Sequence, residues 1–401
     1  MTLSFDASLL QAHAAILLSA LLPIYFGAQA SIRIPKSVKK AIKAAKAVSA
    51  GASSDADAQA DDDDDDDEDE GDIDRLTSSD ALLFPILGSA VLLTMYLALK
   101  YLDKDMINKL ISAYFAVFGV LGFARMLVYF GKAAIGEAKK ENRYKLRLTK
   151  GSQEEFSFVF SYLHLGCLAF SIIFTAAQLY TRHWILSNLL ALSFSYNAIS
   201  LMRLDSFKTG TLLLAGLFLY DIWWVFGTDV MVSVATNFEA PIKIVWPKSL
   251  TADSGFTMLG LGDIVIPGIF VALAQRFDFE QAVAKALGPV ATATQKQIGE
   301  PSIRAANLPV TPSDGFAARY PRPYFVTCFV AYIVGLVVTI GVMNVFKAAQ
   351  PALLYLSPAC AGSVWLCAVY RRESKQYWSF VDGQREDSEK SEQAKDEKKE
   401  R

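Results

Sequence analysis

The chain is poor in the side chains on which most hydrolytic chemistry rests. It holds three histidines and four cysteines in 401 residues. No His-Glu-x-x-His pair occurs and His164 and His183 stand far apart, which argues against a zinc hydrolase of that kind. No Gly-x-Ser-x-Gly run marks a serine nucleophile. Cys167, Cys328, Cys360 and Cys367 fall in or near apolar stretches without metal-ligand spacing, so they read as buried thiols rather than as a disulfide framework or a metal site. No Asn-x-Ser/Thr sequon is present, so N-glycosylation is not expected. A formal net charge of -2 suggests no nucleic-acid partner, and nothing in the sequence asks for a cofactor or a metal.

What the chain has in abundance is apolar sequence, 53% of its residues. Uncharged or nearly uncharged runs recur at 9–28, 81–99, 107–130, 156–178, 183–202, 209–227, 255–275, 324–345 and 351–370, each near the ~20 residues that a bilayer-crossing helix needs. The expected fold is therefore an all-α polytopic membrane protein of nine helices. The first run is long for a signal peptide, and its leading stretch carries Asp6 and no basic residue, so it reads as a retained helix. Lysines and arginines follow it at once, from Arg33 to Lys46, and recur between Lys132 and Lys150 and at Arg371 and Arg372. Positive charge marks the cytosolic side, which places the N-terminus in the lumen and the C-terminus in the cytosol. The acidic run from Asp61 to Glu70 has no aromatic or β-branched residue to bury and reads as a solvated linker. The division that follows is 1–30 (first helix), 31–80 (basic then acidic linker), 81–205 (helices two to five), 206–371 (core of helices six to nine) and 372–401 (charged tail).

Two carboxylates interrupt the apolar runs. Asp263 stands in Met258-Leu259-Gly260-Leu261-Gly262-Asp263-Ile264-Val265-Ile266-Pro267, and Asp221 in Leu217-Phe218-Leu219-Tyr220-Asp221-Ile222-Trp223-Trp224. A charge at the bilayer centre costs at least ~2.5 kcal/mol, so each must face a bundle interior, a partner or water. Gly260 and Gly262 leave the backbone uncovered beside the first carboxylate. Pro267 has no N–H to give the carbonyl four residues back, that of Asp263, so the helix is expected to kink there and leave that carbonyl open. Counting ~1.5 Å per residue along two antiparallel helices puts both carboxylates ~18 Å from the cytosolic face. Such a pair shares a proton and supplies acid and base in one site. On composition alone a hydrogen-bonded cap, or a proton or cation pathway, fits equally well.

Tyr220-Asp221, Gly260-Leu261-Gly262-Asp263 and Pro351-Ala352-Leu353, in that order on helices six, seven and nine, resemble the presenilin and signal peptide peptidase family of intramembrane aspartyl proteases. The longer runs through Pro267-Gly268 and from Gln350 to Leu356 are similar to its signal peptide peptidase branch, as is the expected orientation. The resemblance implies a presenilin-like fold, with Asp221 and Asp263 as the catalytic pair. It also implies that Pro351, Ala352 and Leu353 shape the site and seat the substrate, with Tyr220 beside them either as helix packing or as a hydrogen-bond partner. The implied substrates are transmembrane peptides within the lipid bilayer, namely remnant signal peptides and type II membrane proteins; homo-oligomer formation is left open. Lys398 and Lys399 resemble a dilysine retrieval signal, which implies the endoplasmic reticulum membrane. The rival expectation is a transporter, channel or scaffold that uses the same carboxylates.

Overall fold

The computed structural model describes residues 7–34, 38–39, 75–135, 143–150, 153–228, 230–231, 234, 241–248, 255–287, 320–346 and 350–384. The acidic run Asp61 to Glu70 and the Lys398–Lys399 pair lie outside them. The described chain is mostly helical. Its elements in order are α1 (Ala7–Ala30), β1 (Arg75–Leu76), α2 (Ser78–Tyr101), α3 (Lys104–Ile135), β2 (Arg143–Lys150), β3 (Gln153–Ser161), α4 (Tyr162–Thr181) and α5 (Trp184–Leu201). They continue with β4 (Arg203–Leu204), α6 (Phe207–Phe226), β5 (Lys243–Pro247), β6 (Phe256–Gly260), α7 (Gly262–Leu287), α8 (Pro323–Phe346), α9 (Leu353–Tyr370) and α10 (Ser374–Ser379).

Among the described residues, eight helices are long and apolar enough to cross a membrane: α1 to α6, α8 and α9. The expected seventh span is the exception, because α7 carries Asp263, Arg276, Asp278, Glu280 and Lys285. Packing explains how a helix with those charges is kept. The bundle closes round α7, which touches α1, α5, α6, α8 and α9, and its residues Phe270 to Ala274 are all 0% exposed. A helix buried on every face meets protein, not lipid, so its polar groups need protein partners rather than an apolar composition. By contrast α2 turns Leu82, Ile86 and Val91 outward, each at least 60% exposed, as a lipid-facing helix does.

Close approach is set by small residues. A Cβ on Gly268 of α7 would lie 2.5 Å from the Ile199 side chain of α5, and one on Gly27 of α1 would lie 2.9 Å from it, so these three helices meet only because both positions are glycine. On the other side α2 is fastened along α6. Ser78 and Thr209 hydroxyls lie 2.8 Å apart, and Trp224 Nε1 donates to Ser89 Oγ at 3.1 Å.

Polar groups gather at the end of the bundle where α7 finishes and α8 begins. Asp278 accepts the N–H groups of Tyr324 (3.3 Å) and Phe325 (2.8 Å), capping α8 from a neighbouring helix. Tyr324 Oη donates to Glu373 Oε2 at 2.6 Å, and Gln281 Nε2 donates to the same oxygen at 3.2 Å. Burial alone would raise the Glu373 carboxyl, but these bonds and the Arg371 guanidinium outweigh it and hold the group below its ordinary 4.5. The tail does not leave the bundle at residue 372. Tyr377 of α10 stacks on Phe207 with centroids 4.4 Å apart, and buried Asp382 pairs with Arg276 at 2.9 Å and with Arg203 at 3.8 Å.

Three two-stranded sheets interrupt the expected all-helical architecture. The run expected to enter the membrane at Phe156 begins as β3, paired antiparallel with β2, and turns helical at Tyr162. The stretch expected to begin a helix at Gly255 is the strand β6, paired with β5, and the helix starts only at Gly262. The first corrected segment places an aromatic residue at every second position, Phe156, Phe158 and Phe160, and the second opens on the adjacent strand formers Phe256 and Thr257, which favours extended chain over a helix.

Candidate active site

Asp221 lies on α6, 4% exposed, and Asp263 stands in the first turn of α7. The helical count behind the expected level matching does not apply, since residues 256–260 are extended and advance about twice as far per residue as a helix. The carboxylates nevertheless come close enough to interact electrostatically. The route is different: a strand, not a helix, carries the chain to Asp263, and Leu261 turns it. Leu261 donates its N–H to Ile242 O at 3.0 Å and accepts from Val265 N at 2.8 Å, so one residue ends the hairpin and opens the helix.

The Pro351-Ala352-Leu353 segment meets this pair through its backbone. Leu353 is the first residue of α9, and its N–H donates to Asp221 Oδ2 at 3.0 Å. The opening N–H groups of a helix have no partner within the helix, so a carboxylate from α6 serves here as the cap of α9. Pro351 just before the helix has no N–H to leave unpaired. Pro351, Ala352 and Leu353 are all buried.

Gly260 and Gly262 differ in what they permit. A Cβ on Gly260 would stand 3.4 Å from Asp263 Oδ2, so glycine there keeps the side of that carboxylate clear. Gly262 is exposed with nothing within 4 Å of a would-be Cβ, which leaves open space beside the pair. Tyr220 is half-buried with its ring against Gly88 of α2, 3.6 Å from a Cβ built there; of its two expected roles the contact seen is helix packing.

Two further residues join the site that sequence reasoning did not single out. The carbonyl of Asp263, deprived of its helical donor by Pro267, accepts instead from Tyr332 Oη on α8 at 3.3 Å, and Tyr332 is fully buried. The proline signalled the need for a donor, but nothing in the spacing pointed to position 332. The second is Asn188 of α5. Its Nδ2 donates to Val245 O at 2.7 Å and its Oδ1 accepts from Val245 N at 2.9 Å.

That pairing fixes how the β5–β6 hairpin presents itself. Register pairs Ile244 with Leu259, Val245 with Met258 and Trp246 with Thr257. Hydrogen bonds between Leu261 and Ile242 and between Lys248 and Gly255 set the alternation, so the even-numbered residues of β5 point their N–H and C=O into the hairpin and Val245 points outward. By the same alternation Phe256, Met258 and Gly260 of β6 turn their backbone groups to the opposite side, away from β5. The hairpin thus has one edge taken by a side chain and one edge open, and the open edge runs into Asp263.

Among the described residues no group of three His, Cys, Asp or Glu side chains is placed to hold a metal ion.

Comparison with known proteins gives the family. The family described as signal peptide peptidase matches residues 68–384. The chain is 37% identical over 395 residues to the signal peptide peptidase of Mus musculus, covering 96% of this chain and 87% of that protein. It is 36% identical over 384 residues to the signal peptide peptidase of Homo sapiens, covering 94% and 85%. A probable intramembrane protease of Schizosaccharomyces pombe is 38% identical over 300 residues, 75% of this chain and 82% of that protein.

Proposed function

The chain belongs to the signal peptide peptidase family and is an intramembrane aspartyl protease, and from that premise we propose that Asp221 and Asp263 are its catalytic pair. The observation that carries this reading is the convergence of three separate segments, Asp221 on α6, Asp263 on α7 and the Leu353 N–H of α9, on one spot. One carboxylate takes a proton from a water molecule while the other, protonated, polarises the peptide carbonyl. The proton then passes to the leaving nitrogen as the C–N bond breaks. No covalent intermediate is needed. Neither a transporter or channel nor a scaffold finds support among the relatives.

The substrate is a transmembrane peptide, a remnant signal peptide or a type II membrane protein. A helix hides its carbonyls in its own hydrogen bonds, so it must unwind before water can attack. The open edge of β6 offers what the unwound segment loses: Phe256, Met258 and Gly260 present N–H and C=O groups to which an extended chain adds as a third strand. Substrates containing Gly or Pro are then cut faster than those with stabilised Leu-rich helices; equal rates would remove unwinding from the mechanism.

For topology we propose nine crossings, α1 to α9, with α7 the ninth member by virtue of its protein-filled surroundings. The N-terminus then lies in the lumen and the polar end built round Asp278, Glu373 and Asp382 in the cytosol. The endoplasmic reticulum membrane is the proposed location, as remnant signal peptides among the proposed substrates imply. The direct test incubates the purified protein in detergent with a labelled signal peptide, alongside Asp263→Ala and a transition-state-mimicking aspartic protease inhibitor. A fragment cut within the apolar segment, absent in the variant and with inhibitor, is the expected result. The same fragment from Asp263→Ala would overturn the assignment of the pair.

A further inference from the structure

A β-hairpin has two edges, and only one of those of β5–β6 leads to the carboxylates. Strands in a sheet lie ~4.8 Å apart, so a peptide added outside β5 would run two strand spacings, ~10 Å, from the line of β6 that leads to Asp263, against one spacing, ~5 Å, for a peptide added outside β6. An exposed edge is a template for any extended chain. A protease whose substrates become extended on arrival therefore has to close one edge and keep the other.

We propose that Asn188 is the residue that closes it, and that in doing so it sets the register in which substrate meets Asp263. Its carboxamide offers the same donor and acceptor as a peptide group, and both engage the outward N–H and C=O of Val245, as a neighbouring strand would. The side chain is itself 8% exposed. It stands near the start of α5, where Trp184 also packs edge-on against Trp246 of β5 with centroids 5.1 Å apart. Asn188 thus ties the strand to a rigid helix at Val245, the middle of the three β5 residues whose backbone groups face away from β6. β6 shares that anchorage through Ile244–Leu259 and Trp246–Thr257 and passes it to Gly260 and Asp263. Asn188 touches neither substrate nor the reacting atoms; it is a positioning residue, and the inference rests on the strand-addition reading above.

Register gives the readout. Side chains alternate along a strand, so a substrate that slips on a loosened edge keeps its apolar face only by moving two residues at a time. The purified full chain is given a labelled signal peptide, and the products are weighed by mass spectrometry. In Asn188→Leu, of the same branched shape and without hydrogen bonds, the cut is expected to spread to positions two residues on either side. kcat/KM should fall about tenfold, the worth of ~1.4 kcal/mol. Hydrogen exchange at Val245 should rise while Ile244 and Trp246 stay protected. Should that variant fail to fold, Asn188→Ser, too short to reach Val245 but able to admit a water, is read in the same way. Unchanged cleavage positions and rate in a folded variant overturn the proposal. Met258→Pro separates the two ideas, since it removes an N–H from the open edge and leaves Asn188 alone. Wild-type cleavage by Met258→Pro would overturn strand addition itself. Impaired cleavage there with wild-type behaviour in both Asn188 variants would overturn only the role of Asn188.

Discussion

Replacing Tyr332 by Phe removes one oxygen atom and leaves the Asp263 carbonyl with no donor, because Pro267 supplies none from within α7. Side-chain hydrogen bonds inside membrane bundles measure about 0.6 kcal/mol on average and up to about 1.7. An orphaned buried acceptor in other settings costs about 1–3 kcal/mol. Tyr332 touches the backbone of Asp263, half of the proposed catalytic pair, and not the edge of β6 proposed to hold substrate, so the loss should fall on kcat. At a factor of ten per ~1.4 kcal/mol, a cost of 0.6–1.7 kcal/mol corresponds to a kcat lower by about 3- to 20-fold, with KM little changed. The proline provides a control that few such bonds allow. Pro267→Ala restores an N–H four residues after Asp263, the donor whose absence Tyr332 makes good. In that background Tyr332→Phe should cost markedly less than in the wild type, in both turnover and thermal midpoint. Steady-state cleavage of a labelled signal peptide and thermal unfolding in detergent complete the double-mutant cycle. Strictly additive effects would refute the reasoning, since they would mean that the tyrosine and the proline do not bear on the same carbonyl.

Asp221→Asn keeps an oxygen for the Leu353 N–H but cannot exchange a proton, so it should fold with a near-wild-type thermal midpoint and release no product; residual cleavage above background would count against the pair. Gly260→Ala places a methyl in ordinary contact with Asp263 Oδ2 at 3.4 Å and should retain part of the activity, whereas Gly260→Val, with two further methyls, should lose nearly all of it in the same peptide assay. Glu373 titrates below its ordinary 4.5 in the folded protein, so its contribution to stability is present above that value and is lost as pH falls through the lowered one. Thermal midpoints measured from pH 6 downward should therefore drop less steeply in Glu373→Gln than in the wild type, from a lower starting value at pH 6.

The residues expected to matter were legible because they are chemically out of place. Asp221 and Asp263 are carboxylates in apolar runs, and the structure brings both to one spot. What the sequence hid was the path of the chain between them. Hydropathy records how well a segment suits lipid, and it does not distinguish a helix from an extended chain of the same composition. By hydropathy the stretch from Phe256 to Gly260 therefore looks like the start of a helix, although it pairs as a strand with Lys243–Pro247. Asn188 is hidden for a related reason: an amide in an apolar helix, one of two in α5, shows no role in the sequence, because its partner lies 57 residues away.

The same logic accounts for α7, the helix that hydropathy ranks last. It fails a composition test because it carries five ionisable side chains, yet Phe270 to Ala274 within it are fully buried. Lipid-facing helices such as α2 must be apolar on their outer surface. A helix enclosed by five neighbours is released from that demand and is bound instead by the need to satisfy each polar group with a specific partner. Asp278 meets that need by capping α8, Arg276 by pairing with Asp382, and the Asp263 carbonyl through Tyr332. Enclosure of this kind allows a membrane protein to keep a carboxylate at depth and hold it still. The least membrane-like helix of the bundle is for that reason the one best suited to carry half of the proposed catalytic pair.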